Sequence, residues 1–459
     1  MKKFLLILAA VTIAATIAFS CKKPADKNDE EEEEEEIELV RLKCSVPVTD
    51  NWVFEGVPSF TIHAENPNPK AMTADIKVTI TTDLKQPVTT FETSDEVPAN
   101  GSKDIAVTLT RALEPGFYKA QFAANSKLFE LFCFGVKPAE IQYVVDKQDD
   151  FDSYWENAKA LLPDVTDPDN VVLTPIPSRS SSAQKVYFVE IKSAPDAISG
   201  DPVVVRGYYL EPLGDGKYPI LMHFFGYDSQ PPGVMSCPYG SSNPTYAEFY
   251  LSTRGQMINA RSADKREDGI DKDFTNTYGD WFAFQFGNLD GYYYHGAYLD
   301  CVQAVNFMAS RSCWDGKNLF GEGSSQGGAF SYAAASLSDY PFTAIAPCVA
   351  FMGDFPEYFK IVSWPGDTAK ANQGSMSDEE MYRFLSYFDT KNLVTRMKNT
   401  AVLACSGLQD GTCPPRTNTA PFNTLSTTDK EMYYYPELQH QIPKGWTSKY
   451  SAFFEERMK

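Results

Sequence analysis

Short apolar runs alternate with helical patterns from about residue 139 onward, and this alternation constrains the fold more than any other feature. Runs such as "YPILMHFFG", "TAIAPCVA" and "TAVLACSG" are almost continuously apolar, whereas "GAYLDCVQAVNFMAS" and "SQGGAFSYAAASL" have helical spacing. Strands that are apolar on both sides belong to parallel sheets covered by helices on both faces. Residues 139–459 are therefore predicted to form an α/β domain with a mostly parallel central sheet. Further strands are predicted at "QKVYFVEIKS", "VVVRGYYLEP", "QMINARSA", "KNLFGEGS" and "KEMYYYPE".

Residues 40–138 have a different pattern of short, alternating or β-branched runs. Examples are "FTIHAENP", "ADIKVTITTDL", "KDIAVTLTRAL" and "KLFELFCFGV", which are separated by turn residues such as "NPNP", "PANGS" and "EPG". Strands at this spacing predict a small antiparallel β-sandwich domain that precedes the α/β domain. The segment shows no catalytic cluster, and a spacer, a glycan-contacting module and a lid all remain open as its role.

The first residues have the layout of an export signal. Lys2 and Lys3 precede an apolar run that ends in "AFS", and Cys21 follows directly. This layout resembles a bacterial lipobox, so residues 1–20 are predicted to be a lipoprotein signal peptide and Cys21 the lipidated residue. The alternative is an ordinary secretory signal with an incidental cysteine. The predicted location is the outer membrane or cell surface of a Gram-negative bacterium, with membrane contact through the lipid.

Residues 21–39 are dominated by like charges, in the run "DEEEEEEEIE". Such a run cannot collapse and is predicted to be an acidic, flexible linker. It also resembles export signals of surface lipoproteins. The whole chain has a formal net charge of −20, which argues against nucleic acid as a partner and favours a neutral or weakly charged substrate.

The chain has nine cysteines, of which eight remain once Cys21 is assigned to lipidation. No CxxC pair occurs, so the sequence does not indicate a zinc knuckle. Several cysteines lie in apolar runs such as "TAVLACSG" and are predicted to be buried thiols, with no particular disulfide expected.

The strongest chemical signal is the motif G-x-S-x-G at residues 323–327, which has Ser325 at its centre. The motif lies between a predicted strand and a helix rich in small residues, as a nucleophile elbow requires. Glycines permit the sharp turn, and the N-terminus of the helix stabilises a developing oxyanion. Ser324 is a weaker candidate because no glycine lies two residues before it.

The order serine, acid, histidine is typical of this architecture. His440, in "ELQHQIPKGW", is the only histidine after Ser325 and follows the last predicted strand. Asp410 follows "TAVLACSG" and is the predicted acid, which would hold the imidazole in the required tautomer. Asp389 and Asp429 are rivals, but they are better explained as a local cap and a loop residue.

An oxyanion hole in such a site needs two backbone N–H groups. The first is predicted from Gln326, the residue after the nucleophile. The second is predicted from Tyr227, in the loop "HFFGYDSQPPG" after the third core strand. The alternative for Tyr227 is a partly buried loop aromatic.

These blocks together resemble the acetyl xylan esterase/cephalosporin C deacetylase family of α/β-hydrolases, carbohydrate esterase family 7. The likeness extends over "DDFDSYWENA", "FFGYDSQ", "YYYHGAYLDCVQAVNF", "GSSQGGA", "GLQDGTCPPRTNTAPFN" and "YYYPELQHQ". It implies a serine esterase that removes acetyl groups from acetylated xylan, xylo-oligosaccharides or related sugars without a metal or cofactor. It also implies Ser325, Asp410 and His440 as the triad, and Tyr227 and Gln326 as oxyanion donors.

The chain departs from the family pattern at three places. Phe225 replaces the histidine of an HGY motif, "NARSADKRED" stands where an R-G-Q-G segment is expected, and Q-I-P follows His440. Substrate range and assembly, monomer or homo-oligomer, therefore stay open. The competing functions are a serine peptidase on the same fold and a glycan-binding surface lipoprotein with a degenerate hydrolase domain.

Overall fold

The N-terminal part of the chain contains two small sheets that pack face to face. The computed structural model describes residues 39–48, 52–227, 235–256, 258 and 278–459. The strands of the small sheets are β1 (Lys43–Ser45), β2 (Val53–Phe54), β3 (Ser59–Asn66), β4 (Met72–Thr82), β5 (Pro87–Val97), β6 (Gly101–Thr108), β7 (Gly116–Ala124) and β8 (Lys127–Val136). One sheet has the order β1-β3-β6 and the other the order β2-β8-β7-β4-β5.

Alternation along the strands produces the core between these sheets. In β4, Ile76, Val78 and Ile80 are buried, whereas Asp75 and Lys77, on either side of Ile76, are exposed. All strand pairs are antiparallel except the short pair β2–β8. The two sheets share one apolar core, as the β-sandwich prediction requires.

Strand β5 was not predicted from the sequence. Its residues are mostly polar, and it lies at the edge of the five-stranded sheet, where it pairs only with β4. An edge strand of this kind is stabilised by its neighbour rather than by an apolar face of its own.

The central sheet contains the remaining strands of the described residues. They are β9 (Val171–Pro175), β10 (Gln184–Pro195), β11 (Pro202–Pro212), β12 (Tyr218–Phe224), β13 (Ala247–Ser252), β14 (Trp314–Ser324), β15 (Ala344–Cys348), β16 (Ala401–Gly407) and β17 (Lys430–Tyr435). Their order is β17-β16-β15-β14-β12-β13-β11-β10-β9. Strands β17, β16, β15, β14, β12 and β13 are parallel to one another. Strands β11, β10 and β9 then extend the sheet beyond β13 with antiparallel pairing. The predicted α/β fold with a mostly parallel sheet is confirmed.

One predicted strand is wrong in position. "QMINARSA" covers residues 256–263, most of which lie outside the described residues, and Ile258 forms only an isolated bridge with Met235. The strand at this place in the sheet is β13, which lies earlier in the chain. Because β13 has glutamate and tyrosine among its apolar residues, it has a less continuous apolar run than its neighbours.

Helices cover the central sheet. They are α1 (Phe151–Lys159), α2 (Tyr293–Ala309), α3 (Gln326–Leu337), α4 (Phe355–Ile361), α5 (Gly366–Asn372), α6 (Asp378–Leu385), α7 (Thr390–Leu393), α8 (Pro415–Thr424) and α9 (Trp446–Glu455). Within the described residues, none of these helices combines the length and apolar character needed to cross a bilayer.

The described residues cover only part of the predicted division of the chain into domains. The signal peptide, Cys21 and all of the acidic linker but its last residue lie outside the described residues. Residues from Arg41 to Lys459 form one compact unit. The boundary between residues 138 and 139 falls inside this unit and stays a prediction.

Candidate active site

Ser325 occupies a sharp turn between β14 and α3. Its backbone has φ 57° and ψ −120°, a region that residues other than glycine rarely adopt. Hydrogen bonds hold this strained conformation, because Ser325 N donates to the Cys348 carbonyl at 2.9 Å and Phe351 N donates to the Ser325 carbonyl at 3.0 Å. Ser325 is partly exposed, so its hydroxyl lies at the surface of the fold rather than in the core.

The two outer glycines of the motif are required by close backbone contacts. A Cβ at Gly323 would lie 2.4 Å from the Gly327 carbonyl oxygen, and one at Gly327 would lie 2.2 Å from the Phe224 carbonyl oxygen. These distances are far below van der Waals contact, so only glycine fits. The turn therefore has the construction of a nucleophile elbow.

His440 and Asp410 complete a hydrogen-bonded chain with the serine. His440 Nε2 lies 2.9 Å from Ser325 Oγ, and His440 Nδ1 lies 2.8 Å from Asp410 Oδ2. The Asp410 side chain is fully buried, and its Oδ1 accepts the N–H groups of Thr412 and Cys413 at 2.8 and 2.7 Å. We assign the proton to Nδ1, which leaves Nε2 free to accept the hydroxyl proton of the serine.

The rival carboxylates lie in other surroundings. Asp389 caps α7 and accepts the N–H groups of Asp354 and Phe355, and burial raises its pKa to about 7. Asp429 is exposed and pairs with Arg457 at 2.6 Å. The structure thus brings only Asp410, among the three sequence candidates, to His440.

The loop after β12 lies against the nucleophile turn. A Cβ at Gly226 would lie 3.5 Å from the Ser324 carbonyl oxygen and 3.9 Å from Ser325 Cβ. Tyr227 follows this glycine, and Gln326 begins α3. Neither the Tyr227 N–H nor the Gln326 N–H donates a hydrogen bond to another described residue. The assignment of these two N–H groups as oxyanion donors stays a prediction.

Sequence reasoning missed a residue that supports this loop. Gln256 Nε2 donates to the Gly226 carbonyl at 2.9 Å, and Gln256 Oε1 accepts from Thr253 N at 3.0 Å. The position of β13 shows how this residue could have been found. Only Thr253 separates the end of that strand from Arg254-Gly255-Gln256. The Arg-Gly-Gln segment that was predicted to be replaced is thus present, with methionine after it in place of the final glycine.

The tyrosine-rich helix α2 contacts Gln326, the other predicted donor. Tyr294 is buried, and its hydroxyl donates to Gln326 Oε1 at 2.8 Å. This contact fixes the side chain of the residue that follows the nucleophile. The sequence showed the three consecutive tyrosines but not which of them reaches Gln326.

A group of aromatic side chains is joined to the nucleophile turn through Phe351. Phe351, which is hydrogen-bonded to the Ser325 carbonyl, stacks on Trp364 with ring centroids 5.2 Å apart. Trp364 contacts the ring of Tyr227 at 5.6 Å, and Tyr227 contacts Trp281 at 4.8 Å. These rings form one connected aromatic cluster, which Phe351 links to the nucleophile turn.

A buried cysteine also lies next to the nucleophile. Burial raises the pKa of the Cys413 thiol well above its usual range, the nearby Asp410 carboxylate adds to this, and hydrogen bonds with Tyr358 and Ser325 oppose it. The thiol therefore stays protonated at neutral pH. Among the described residues, no group of three or more His, Cys, Asp or Glu side chains has an arrangement that could hold a metal ion.

Comparisons with known proteins agree with this site. The family model for acetyl xylan esterase (AXE1) matches residues 140–458. The acetyl esterase Axe7A of Xylanibacter ruminicola is 26% identical over 376 residues, which cover 77% of this chain and 78% of that protein.

Two solved structures share the fold over 70% of the chain. The acetyl xylan esterase from Paenibacillus sp. R4 is 27% identical, with a TM-score of 0.57, and the match covers 70% of this chain and 99% of that one. Acetyl xylan esterase 1 from Thermoanaerobacterium sp. JW/SL YS485 is 22% identical, with a TM-score of 0.55 and coverage of 70% and 98%. Since the family model matches more than two thirds of the residues, the chain belongs to the acetyl xylan esterase (AXE1) family and is a carbohydrate esterase of the α/β-hydrolase fold.

Proposed function

We propose that this esterase removes acetyl groups from acetylated xylan or xylo-oligosaccharides through a covalent acetyl-enzyme on Ser325. The observation that carries the proposal is the hydrogen-bonded chain from Ser325 through His440 to Asp410 in a member of this family. The acidic chain, with its formal charge of −20, suits a substrate without strong negative charge.

The first step forms the acetyl-enzyme. Ser325 Oγ attacks the carbonyl carbon of the acetyl ester while His440 Nε2 takes the hydroxyl proton. Asp410 accepts the Nδ1 hydrogen bond and stabilises the resulting imidazolium. The tetrahedral intermediate collapses when the C–O bond to the sugar breaks, and His440 returns the proton to the leaving sugar hydroxyl.

The second step releases acetate. Water attacks the acetyl-enzyme while His440 takes one of its protons, and the bond between the acyl carbon and Ser325 Oγ then breaks. Ser325 recovers its proton from the imidazolium. The sum of both steps is one ester and one water converted to a free sugar hydroxyl and acetic acid, which ionises to acetate and a proton.

The negative charge that develops on the acyl oxygen in both steps is stabilised by backbone donors. We assign this role to the N–H groups of Tyr227, which follows Gly226 beside the serine, and of Gln326, which begins α3, and the N-terminus of α3 adds a favourable dipole. Loss of one such donor costs about 10²–10³ in rate in enzymes of this kind.

The preference for acetyl over longer acyl groups follows from the aromatic rings. Phe351 and Trp364 stack beside the nucleophile turn, and Tyr227 closes the same region. An acetyl methyl fits next to such rings, whereas a longer chain would displace them.

The proposal is tested by measuring acetate released from acetylated xylan by the wild type and by Ser325→Ala. We expect release by the wild type and none above background by the variant. A peptidase would cleave peptide substrates and spare the acetylated polymer. A degenerate glycan-binding protein would retain the polymer but release no acetate in either form.

We further propose that the protein is an exported lipoprotein held at the membrane through Cys21. The support is the layout of Lys2, Lys3 and the apolar run before that cysteine, followed by the acidic linker. Labelling with a radioactive fatty acid in a Gram-negative host should mark the wild type and not Cys21→Ala. Equal labelling of both would contradict the proposal.

A further inference from the structure

A cavity of about 500 Å³ lies where the β-sandwich meets the loops that carry the catalytic acid and base. Its volume is in the range of sites that bind small ligands. From the sandwich it is lined by Lys119 and Leu131, among others, and from the catalytic loops by Asp410, Gly411 and Gln439. Gln439 directly precedes His440, so the cavity borders the immediate neighbours of both the acid and the base.

The sandwich wall of this cavity is held firmly to the catalytic loops. Gln409, the residue before Asp410, accepts from Cys133 N at 2.8 Å and donates to the Cys133 carbonyl at 2.9 Å. Its Nε2 also donates to the Pro436 carbonyl at 2.7 Å. One glutamine side chain thereby joins β8, the acid loop and the loop that leads to His440.

Two further contacts fix the same interface. Arg416 makes a bidentate ion pair with the buried carboxylate of Asp83, at 2.7 and 2.8 Å. Leu408 belongs to the apolar core of the sandwich, and Phe117 contacts the ring of Tyr434 at 5.8 Å. Buried and bidentate contacts of this kind keep the wall in place before a ligand arrives.

The side chains that face the cavity combine polar groups with apolar surface. Lys119 is half-buried and has no carboxylate within ion-pair distance among the described residues, while Glu437 and Gln439 are exposed on the opposite side. Leu131 keeps 49% of its surface exposed. Sugar rings present hydroxyl groups and apolar C–H faces, so donors, acceptors and an aliphatic surface suit an uncharged saccharide.

We propose that this cavity is a subsite for the sugar residues that flank the acetylated sugar at Ser325, with the β-sandwich as one wall. The inference rests on the proposed function and deepens it. The family model begins at residue 140, so the sandwich wall lies outside the residues that this model matches. The ligand is an uncharged, partly acetylated saccharide of several sugar units.

The test compares substrates with and without a saccharide chain. In the full-length protein, a lining pair, Lys119→Ala with Leu131→Ala, is matched by a control pair, Lys127→Ala with Leu128→Ala. The control residues are on the same hairpin and exposed but do not line the cavity. Values of kcat and KM are measured for 4-nitrophenyl acetate and for acetylated xylo-oligosaccharides of increasing length, and Tm is measured for every variant.

We expect kcat/KM of the wild type to rise with oligosaccharide length. The lining pair should raise KM for the longer oligosaccharides about 5- to 10-fold, as expected for the loss of one or two hydrogen bonds, and leave 4-nitrophenyl acetate unchanged. The control pair should match the wild type on every substrate. If the lining pair raised KM for 4-nitrophenyl acetate by the same factor, the two residues would have a structural role and the subsite would be overturned.

The subsite and the proposed function fail in different ways. The subsite alone would be overturned if the lining pair released acetate from the oligosaccharides as fast as the wild type. It would also be overturned if acetate release by the wild type did not depend on chain length. Turnover of 4-nitrophenyl acetate without any release from acetylated xylo-oligosaccharides would overturn the proposed function itself.

Discussion

His440 Nε2 lies 2.9 Å from Ser325 Oγ, although 115 residues separate the two in the chain. Replacement of either residue with alanine should lower kcat for 4-nitrophenyl acetate by about 10⁴-fold or more, because the serine hydroxyl is a weak nucleophile without its base. The double variant should be no slower than the worse single variant, since the two act as one unit. Steady-state kinetics with Tm as a folding control checks this, and undiminished turnover by His440→Ala would refute the assignment.

Asp410→Asn should lower kcat by about 10³- to 10⁴-fold, because an amide cannot hold the histidine in the required tautomer. The matched control is Asp429→Asn, which removes only the exposed ion pair with Arg457 and should retain nearly full activity. Asp389→Asn should lower Tm more than kcat, since that carboxylate caps buried N–H groups. A larger loss of kcat for Asp429→Asn than for Asp410→Asn would contradict the proposed triad.

Gln256→Glu should lower kcat by roughly 10- to 100-fold with little change in KM, as expected when a reacting group is slightly misplaced. Glutamate keeps an acceptor for Thr253 N but loses the donor that holds the Gly226 carbonyl. The control is Gln303→Glu, which removes buried donors to the Pro163 and Lys192 carbonyls away from the site. That control should lower Tm and leave kcat intact, so equal kcat effects in both variants would argue against a positioning role for Gln256.

Thiol reagents should leave the folded enzyme active, whereas a serine-directed sulfonyl fluoride should inactivate it. Burial keeps the pKa of Cys413 well above its usual range, and only a thiolate reacts readily with iodoacetamide. Activity and mass of the labelled protein are measured after each treatment, with the denatured chain as the control for reagent quality. Inactivation by iodoacetamide that follows alkylation of Cys413 would show that this thiol is accessible.

Stability should fall at alkaline pH through a buried histidine beside the nucleophile strand. His223 lies between Glu322 and Glu248, at 2.7 and 3.2 Å. Burial disfavours its charge, but these hydrogen bonds outweigh burial and raise the pKa of His223 to about 9, above the ordinary value of 6.5. Its contribution to the free energy of unfolding is therefore complete below about pH 6.5 and is lost as the pH rises through about 9.

The variant His223→Gln isolates this effect. Denaturant unfolding of the wild type and the variant is compared from pH 6 to pH 10. The difference in the free energy of unfolding should shrink as the pH rises through about 9, because the wild type loses the charged pair that the variant never had. A difference that stays constant over this range would mean that His223 is not charged in the folded protein.

Patterns local in the chain predicted the three side chains that the structure joins by hydrogen bonds. Ser325 was identified because strand, glycine turn and small-residue helix are consecutive in sequence, and His440 because no other histidine follows the serine. Asp410 was identified from its place just after a continuous apolar strand. Each of these signals depends on periodicity and order, which a chain carries before it folds.

Strands without an apolar run were harder to predict. β5 and β13 are held by their neighbours in a sheet, so their pairing is a property of the assembled sheet rather than of their own residues. Because the strand was predicted at residues 256–263, Arg254-Gly255-Gln256 was not recognised as the segment after β13. The glutamine that supports the oxyanion loop was therefore missed.

The sequence by itself indicated the α/β class, the order serine, acid, histidine and a β-rich N-terminal segment. Only the tertiary structure decided that Gln409 pairs with Cys133, 276 residues away, and that a cavity beside the acid and base has the sandwich as one wall. The reason is physical, since hydrogen bonds and surfaces between distant segments arise from packing and leave no periodic trace in the chain.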